Sequence, residues 1–369
     1  MSSDSDLSNE LQRVLNDFGP SLKPLPHDEA VEKFIANEKA ELAPKTLTEY
    51  ERELNRLVKF CNMNDIEDTS ELDGRVIHDF KIWRRDEEHD GDGSLSNKTM
   101  KDEMYLLRSF LRFLESIDAA VHRLHTKIEI PSLEPGEGKR DIEIESDELN
   151  AILTHLNKFE YGSREHAVWV LFAATGRRPS GLRSLDCDDL HLENNNPYIE
   201  FHHREGETRL KNAKKSENTV GINDSAAEVL QDYIQTHRVD IEVNGREPLL
   251  TSTHGRLSDS AIRKYIYKWS RPCVIGNECP DDREESACEA MESSGCASKC
   301  PFSKPPVALR HGYISNLRRQ GVSLYTISRR CDVSEEVIEE HYSELTEEEK
   351  RGLRQKELQK HSDPDSGYL

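Results

Sequence analysis

Apolar residues recur at helical spacing through the first third of the chain. Tyr50, Leu54, Leu57, Val58 and Cys61 form one stripe at i, i+4, i+7, i+8 and i+11, and Thr46-Leu47-Thr48-Glu49 ahead of them fits a capping box. Met100, Met104, Leu107, Leu111 and Leu114 mark the buried face of a second helix that begins near Ser96, while Phe80 to Arg85 ends a third. Residues 26–127 therefore read as one helical domain. Ahead of it, residues 1–25 read as a loosely held arm with one amphipathic piece, Leu7 to Phe18, stopped by Gly19-Pro20. Asp90-Gly91-Asp92-Gly93-Ser94 is a loop by its helix breakers.

The pattern changes after residues 128–145, a stretch of proline, glycine and charge that reads as a flexible linker. Ser146-Asp147-Glu148 predicts a capped helix start with acids in its first turn. His166 to Ala174 is apolar on nearly every side, as expected of a helix buried at the centre of a domain. Tyr198 to His203, Thr208 to Lys211 and Asn218 to Ile222 predict short strands, and helices are expected at Ser225 to His237 and Ser258 to Trp269. The expected fold is α+β and mostly helical. A mixed domain over residues 146–369, with a small antiparallel sheet and a cysteine-rich insertion at 273–300, follows the helical one.

Charge sharpens this picture. On the helix that starts at Ser96, Lys98, Lys101, Arg108 and Arg112 fall within an arc of roughly 80° at about 100° per residue. Such a stripe suits a helix that tracks phosphates, and it equally describes a solvated face. The whole chain holds 71 Asp and Glu against 50 Lys and Arg, a net charge of −21, where nucleic-acid binders usually show a basic footprint. Either the partner is not a nucleic acid, or the acid adapts the surface to concentrated salt, where self-repulsion is screened. The clustering of the basic residues favours the second reading, that of a halophile's protein.

No apolar run approaches the ~20 residues that span a bilayer, and Met1-Ser2-Ser3-Asp4 does not open a signal peptide, so a cytoplasmic protein without a membrane partner is expected. Five of the eight cysteines, Cys273, Cys279, Cys288, Cys296 and Cys300, crowd into one stretch. In a reducing compartment that points to metal more than to disulfides. Cys273, Cys279, Cys296 and Cys300 could supply four thiolates to a structural zinc, with Cys288 spare; free thiols are the alternative.

Two further stretches carry candidate chemistry. Pro305-Pro306-Val307-Ala308-Leu309-Arg310-His311-Gly312 embeds an arginine in an apolar turn-to-helix sequence, which is costly unless the guanidinium meets an anion, and Glu340-His341-Tyr342 follows it. Upstream lies Thr175-Gly176-Arg177-Arg178-Pro179-Ser180-Gly181-Leu182. In chain order these resemble the Thr-Gly-x-Arg-x-x-Glu-Leu box, the Leu-Arg-His box and the nucleophilic tyrosine of the tyrosine recombinase (phage integrase) family. The resemblance covers residues 28 to 350 or so.

That resemblance implies double-stranded DNA as partner, clasped by the helical domain, with protomers self-associating on paired sites as a tetramer. It casts Arg178 and Arg310 as the groups that grip the scissile phosphate, Tyr342 as the nucleophile and a hairpin lysine as proton donor: Lys211, with Lys214 and Lys215 beside it. A guanidinium offers a planar fork that holds two phosphate oxygens at once, although each arginine could instead pair with a nearby acid such as Asp186 or Asp189. No cofactor is required for this chemistry. The segment Leu345 to Leu358 looks like the family's terminal piece that swaps into a neighbour. Three positions depart from the pattern: Val307 stands where the second box has His, Gly181 where the first has Glu, and Asp332 or Val333 where a His or Trp is expected. The implied function is a site-specific recombinase or integrase working through a 3′-phosphotyrosine. A catalytically silent DNA-binding regulator and a relaxing topoisomerase are the competing readings.

Overall fold

The first unit is built from α1 (His27–Glu38), α2 (Pro44–Met63), α3 (Gly74–Asp86) and α4 (Asn97–Ser116). The computed structural model describes residues 22–86, 95–134, 137, 142–193, 195–341, 351–352 and 355, without the side chains of Glu340 and His341. Leu7 to Phe18, the 90–94 loop, Tyr342 and most of Leu345 to Leu358 lie outside the described residues. Both amphipathic stripes meet in one core, where Phe34, Leu57, Met104, Phe110, Leu111 and Leu114 are all buried. The Phe34 and Phe110 rings pack edge to face at 5.5 Å.

Helix α4 starts as its sequence predicts, with the Ser96 side chain accepting from the Thr99 N–H. Helix α2 does not. It begins two residues before the expected cap, with Pro44 at its first position and no side-chain cap, so Thr46 lies inside the first turn and the capping box does not form. Proline's fixed φ is preorganised for that position and lacks the N–H that a cap would satisfy. The end of the expected arm is docked: the Lys23 N–H donates to the Asp118 carbonyl at 2.8 Å and the Leu25 N–H to Thr69 Oγ1 at 3.0 Å.

A second compact unit starts after residue 140. It comprises α5 (Ser146–Phe159), α6 (Arg164–Thr175), α7 (Pro179–Ser184), α8 (Asp224–Asp232), α9 (Asp259–Trp269), α10 (Pro306–Arg319), α11 (Leu324–Cys331) and α12 (Glu335–His341). As its all-apolar sequence requires, α6 runs through the middle, with Trp169, Leu171 and Phe172 buried, and it touches α5, α8, α9 and α10. Glu145 rather than Ser146 occupies the cap position of α5, with no side-chain cap.

The sheet differs in part from expectation. Strands β1 (Leu190–His191), β2 (Tyr198–Phe201) and β3 (Asn218–Gly221) form an antiparallel β1-β2-β3 sheet with Ile199 opposite Val220 and Leu190. Thr208 to Lys211 is not a strand: only Thr208 bridges back to Arg204. Beyond it Leu210 is buried and the chain coils into a 3₁₀ turn at Ala213–Ser216, whose first residue has φ 51°, so the hairpin does not extend the sheet. A second pairing joins β4 (Thr251–Ser252) to β5 (Gly255–Arg256). No helix among the described residues is long and apolar enough to cross a membrane.

Candidate phosphate-binding site

Helix α6 ends where the site begins. Thr175 donates its hydroxyl to the Leu171 carbonyl at 2.6 Å, and Gly176 then turns left-handed at φ 61°. Any side chain there would meet backbone strain and collide with the Tyr313 ring. Tyr313 and Arg330 hold this end of the helix, since the Arg330 Nη2 donates to the carbonyls of Ala174 at 2.7 Å and Gly221 at 2.8 Å.

The two arginines that follow have separate tasks. Arg177 is 2% exposed; its guanidinium lies 4.3 Å from the centre of the Phe201 ring and donates to the Ser216 carbonyl at 3.1 Å. Burial pushes its pKa down to about 10. Arg178 caps α7 and keeps its side chain 28% exposed, with Nη1 donating to the Asp332 main-chain oxygen at 2.6 Å and lying 3.2 Å from the Asp332 carboxylate.

Arg310, on α10, reaches the same point. Only 6% exposed, it donates to the carbonyls of Gly176 at 2.9 Å, of Cys331, and of Asp332 at 3.0 Å. The carbonyl of Asp332 thus receives both guanidiniums. Asp332 closes α11 in the left-handed region at φ 54°, which short acids tolerate better than most residues. Its carboxylate Oδ1 accepts from Ser216 Oγ at 2.8 Å and Asn212 Nδ2 at 3.2 Å, tying the hairpin to the arginines.

Lys211 stands on that hairpin, exposed. The charge of Arg178 pushes its ammonium below the usual lysine range, with desolvation and then Arg310 adding to the effect and Asp332 opposing it. Arg178, Arg310 and Lys211 are therefore brought together. Lys214 and Lys215 lie exposed in the 3₁₀ turn. Tyr342 is outside the described residues.

Asp186 and Asp189 do not neutralise this pair. Asp186 holds Arg246 and Arg256, the latter at 2.5 Å, and Asp189 holds Arg204 at 2.5 Å. Val307 sits in the first turn of α10, 41% exposed, and His311 lies near Glu143. Asp332 carries one signal in the sequence, an acid standing where an aromatic or imidazole side chain is expected.

The other candidate residues have mixed placements. On α4, Lys98 pairs with Asp102 at 2.8 Å and Arg108 donates to the Ile128 carbonyl at 2.7 Å, so the latter braces its own domain. Lys101 is half-buried and Arg112 exposed. Among the described residues no three His, Cys, Asp or Glu side chains are placed to hold a metal ion. Cys273, Cys279 and Cys300 line one small cavity with Cys288, whereas the Cys296 sulfur accepts from Ser293 Oγ at 3.3 Å.

Residues 143–276 match the phage integrase family and residues 32–116 the phage integrase N-terminal SAM-like domain. The former match includes Arg178 and Lys211 but stops short of Arg310. Tyrosine recombinase XerC of Actinobacillus succinogenes is 22% identical over 229 residues, covering 62% of this chain and 70% of the relative. Tyrosine recombinase XerD of Oceanobacillus iheyensis is 28% identical over 220 residues, or 58% and 67%. Among solved structures, the Tn1549 transposon integrase in complex with a circular intermediate DNA superposes with a TM-score of 0.63 at 12% identity, over 92% of this chain and 100% of that one. XerH recombinase bound to difH gives 0.55 at 15% identity, over 94% and 88%. With both domain types matched in the order the fold shows, the chain belongs to the tyrosine recombinase (phage integrase) family.

Proposed function

We propose that this protein is a site-specific recombinase that cuts and rejoins double-stranded DNA by transesterification. The observation that carries the proposal is the convergence of Arg178 and Arg310 on one main-chain oxygen, with Lys211 beside them. Two guanidiniums so aligned can each grip non-bridging oxygens of a phosphodiester and strengthen that grip as charge builds on the phosphorane. Tyr342 loses its phenolic proton to solvent as it attacks phosphorus, the bond to the 5′ oxygen breaks, and the Lys211 ammonium gives its proton to that departing oxygen. A 3′-phosphotyrosine results. Attack by the 5′ hydroxyl of a second strand reverses the steps, returns the proton and frees the tyrosine, so no outside energy source or cofactor enters.

Val307 in place of the second-box His leaves this chemistry one proton-transfer group poorer, which slows the reaction without removing its electrostatic core. Lys98, Lys101 and Arg112 are offered to the duplex by α4. Four protomers on two paired sites, in the cytoplasm, are the assembly such strand exchange requires. The net charge of −21 supports work in concentrated salt, where shape and protein contacts carry more of the binding than phosphate charge does.

A nicked suicide substrate, from which the cut strand diffuses away, tests the proposal. A covalent protein-DNA adduct is expected with the wild type and none with Tyr342→Phe. Equal behaviour of the two proteins, with neither forming adduct at low or high salt, would leave a silent DNA-binding relative. Relaxation of supercoils without site preference would indicate a topoisomerase.

A further inference from the structure

Between α9 and α10 the chain runs from Ser270 to Pro305 with no element longer than a four-residue 3₁₀ turn. Loops beyond about 15 residues without secondary structure are uncommon inside a compact domain, and this one has little core to order it. Ala290 and Ala297 are its buried apolar residues, and Val274 and Ile275 pack half-buried against the core. No disulfide staples it either, since all eight cysteines are free. A segment so poor in apolar burial needs another crosslink to hold one shape.

Four of its five cysteines surround one cavity of about 20 Å³: Cys273, Cys279, Cys288 and Cys300. A volume of that order admits one water-sized sphere, hence one metal ion. Each of the four opens a tight turn, its carbonyl accepting from the N–H three residues on: Gly276 at 3.1 Å, Asp282 at 2.9 Å, Met291 at 2.8 Å and Ser303 at 3.1 Å. Cys296 opens a similar turn but does not line the cavity. Cys273 and Cys300 are near enough for their charges to interact. Four thiolates around a divalent cation leave a net charge near −2; Arg271 and Arg283 line the cavity with Glu285, Arg283 being paired with Asp281 at 2.7 Å. Arg271 is 6% exposed and fixed by its hydrogen bond to the Ala290 carbonyl at 2.6 Å.

We infer that Cys273, Cys279, Cys288 and Cys300 form a structural site for a thiophilic divalent cation of the zinc type, which crosslinks the 270–305 insertion, and that Cys296 is not a ligand. Thiolate sets of this kind select zinc over hard cations and close tetrahedrally around it. In this structure the sulfurs are not yet at coordinating positions. Binding requires the side chains to rotate inward and the turns that carry them to draw together, which an insertion built of short turns without a disulfide accommodates.

Metal content and cobalt titration of the purified full chain test the inference. About one zinc per chain is expected in the wild type and in Cys296→Ser, with a thiolate-to-cobalt charge-transfer band when cobalt replaces it. Cys288→Ser and Cys279→Ser are expected to weaken binding by about tenfold or more. A wild type that binds no metal, or a Cys296→Ser protein that loses as much as Cys288→Ser, overturns it. Because a serine variant can fail to fold, the intact wild type supplies a second reading. With zinc, N-ethylmaleimide should modify Cys296 and spare the other four of the insertion, and a chelator should expose them. Equal labelling of all five in the presence of zinc also overturns the assignment.

Discussion

Arg178 and Asp332 stand in direct contact, the guanidinium Nη1 lying 2.6 Å from the aspartate's main-chain oxygen and 3.2 Å from its carboxylate. The first contact aligns the arginine, while the second sets a fixed anion beside the place where a phosphate would bind. Asp332→Asn keeps the main-chain contact and removes the competing charge. Duplex affinity is expected to rise several-fold and the slope of log K against log salt to steepen by up to about one unit, as one more cation becomes free to neutralise phosphate. Fluorescence anisotropy across a salt series measures both, and a weaker complex with an unchanged slope would mean the carboxylate serves only to hold the hairpin.

Lys211 sets a pH limit. Its ammonium is acidified first by Arg178, then by desolvation and Arg310. In the proposed role of proton donor it must be charged, so single-turnover cleavage should fall as pH rises through this depressed pKa, earlier than for an ordinary lysine. Lys211→Ala should slow cleavage by about 10²- to 10⁴-fold. A substrate with sulfur in the bridging 5′ position, whose thiolate leaves without a proton, should restore the rate. Failure of that rescue, or an equal loss in Lys214→Ala, would move the role elsewhere.

Val307 offers a gain-of-function test. It occupies the first turn of α10, three residues before Arg310 and on the same side of the helix. Val307→His should raise the cleavage rate by about 10- to 100-fold if an imidazole can reach the phosphate there. An unaltered rate in a protein that still binds DNA would show that another group has taken over the task.

His166 links stability to acid. It is 2% exposed on α6, its Nδ1 accepts from the Gly162 N–H at 3.3 Å, and burial pushes its pKa down to about 4. In the unfolded chain an imidazole titrates near 6.5, so below that pH the unfolded state takes up the proton first and folding weakens until both states are charged near pH 4. The loss is about 3 kcal/mol over that window. Urea titrations from pH 7 to pH 4 should show it, and His166→Phe should flatten that part of the profile.

Gly312 is fixed by crowding instead of by backbone angle. A Cβ on α10 at this position would collide with the Ile144 carbonyl oxygen, at the strand of chain whose N–H bonds Ala308. Gly312→Ala should cost about 2 to 4 kcal/mol, as other overpacked or backbone-displacing changes do. Gly206→Ala, which meets no atom within 4 Å but sits at φ 79°, should cost about 1 kcal/mol. Denaturant midpoints of the two variants give the comparison.

Periodic burial made most of the helices readable from the sequence: the faces of α2 and α4 and the all-apolar α6 occur as the pattern requires. Short, tertiary-determined features were not. Leu190–His191 is two residues long and pairs only because β2 lies beside it, while Thr208 to Lys211 has a strand's composition yet follows a bend set by the buried Leu210 and the turn at Ala213. In the site, Arg310 could be singled out because an arginine in an apolar stretch needs an anion or carbonyls, and Arg178 because its box resembles the family's. Asp332 could not, because its importance lies mainly in its carbonyl. That group is the same in every residue and leaves no mark in the sequence.

This last point bears on how the site tolerates change over evolutionary time. Since a peptide oxygen sets the spacing of the two guanidiniums, exchange of the 332 side chain for another able to adopt the left-handed turn would preserve their alignment. Descendants could then vary the polarity at this spot, and with it the grip on substrate, while the machinery around it stayed in register.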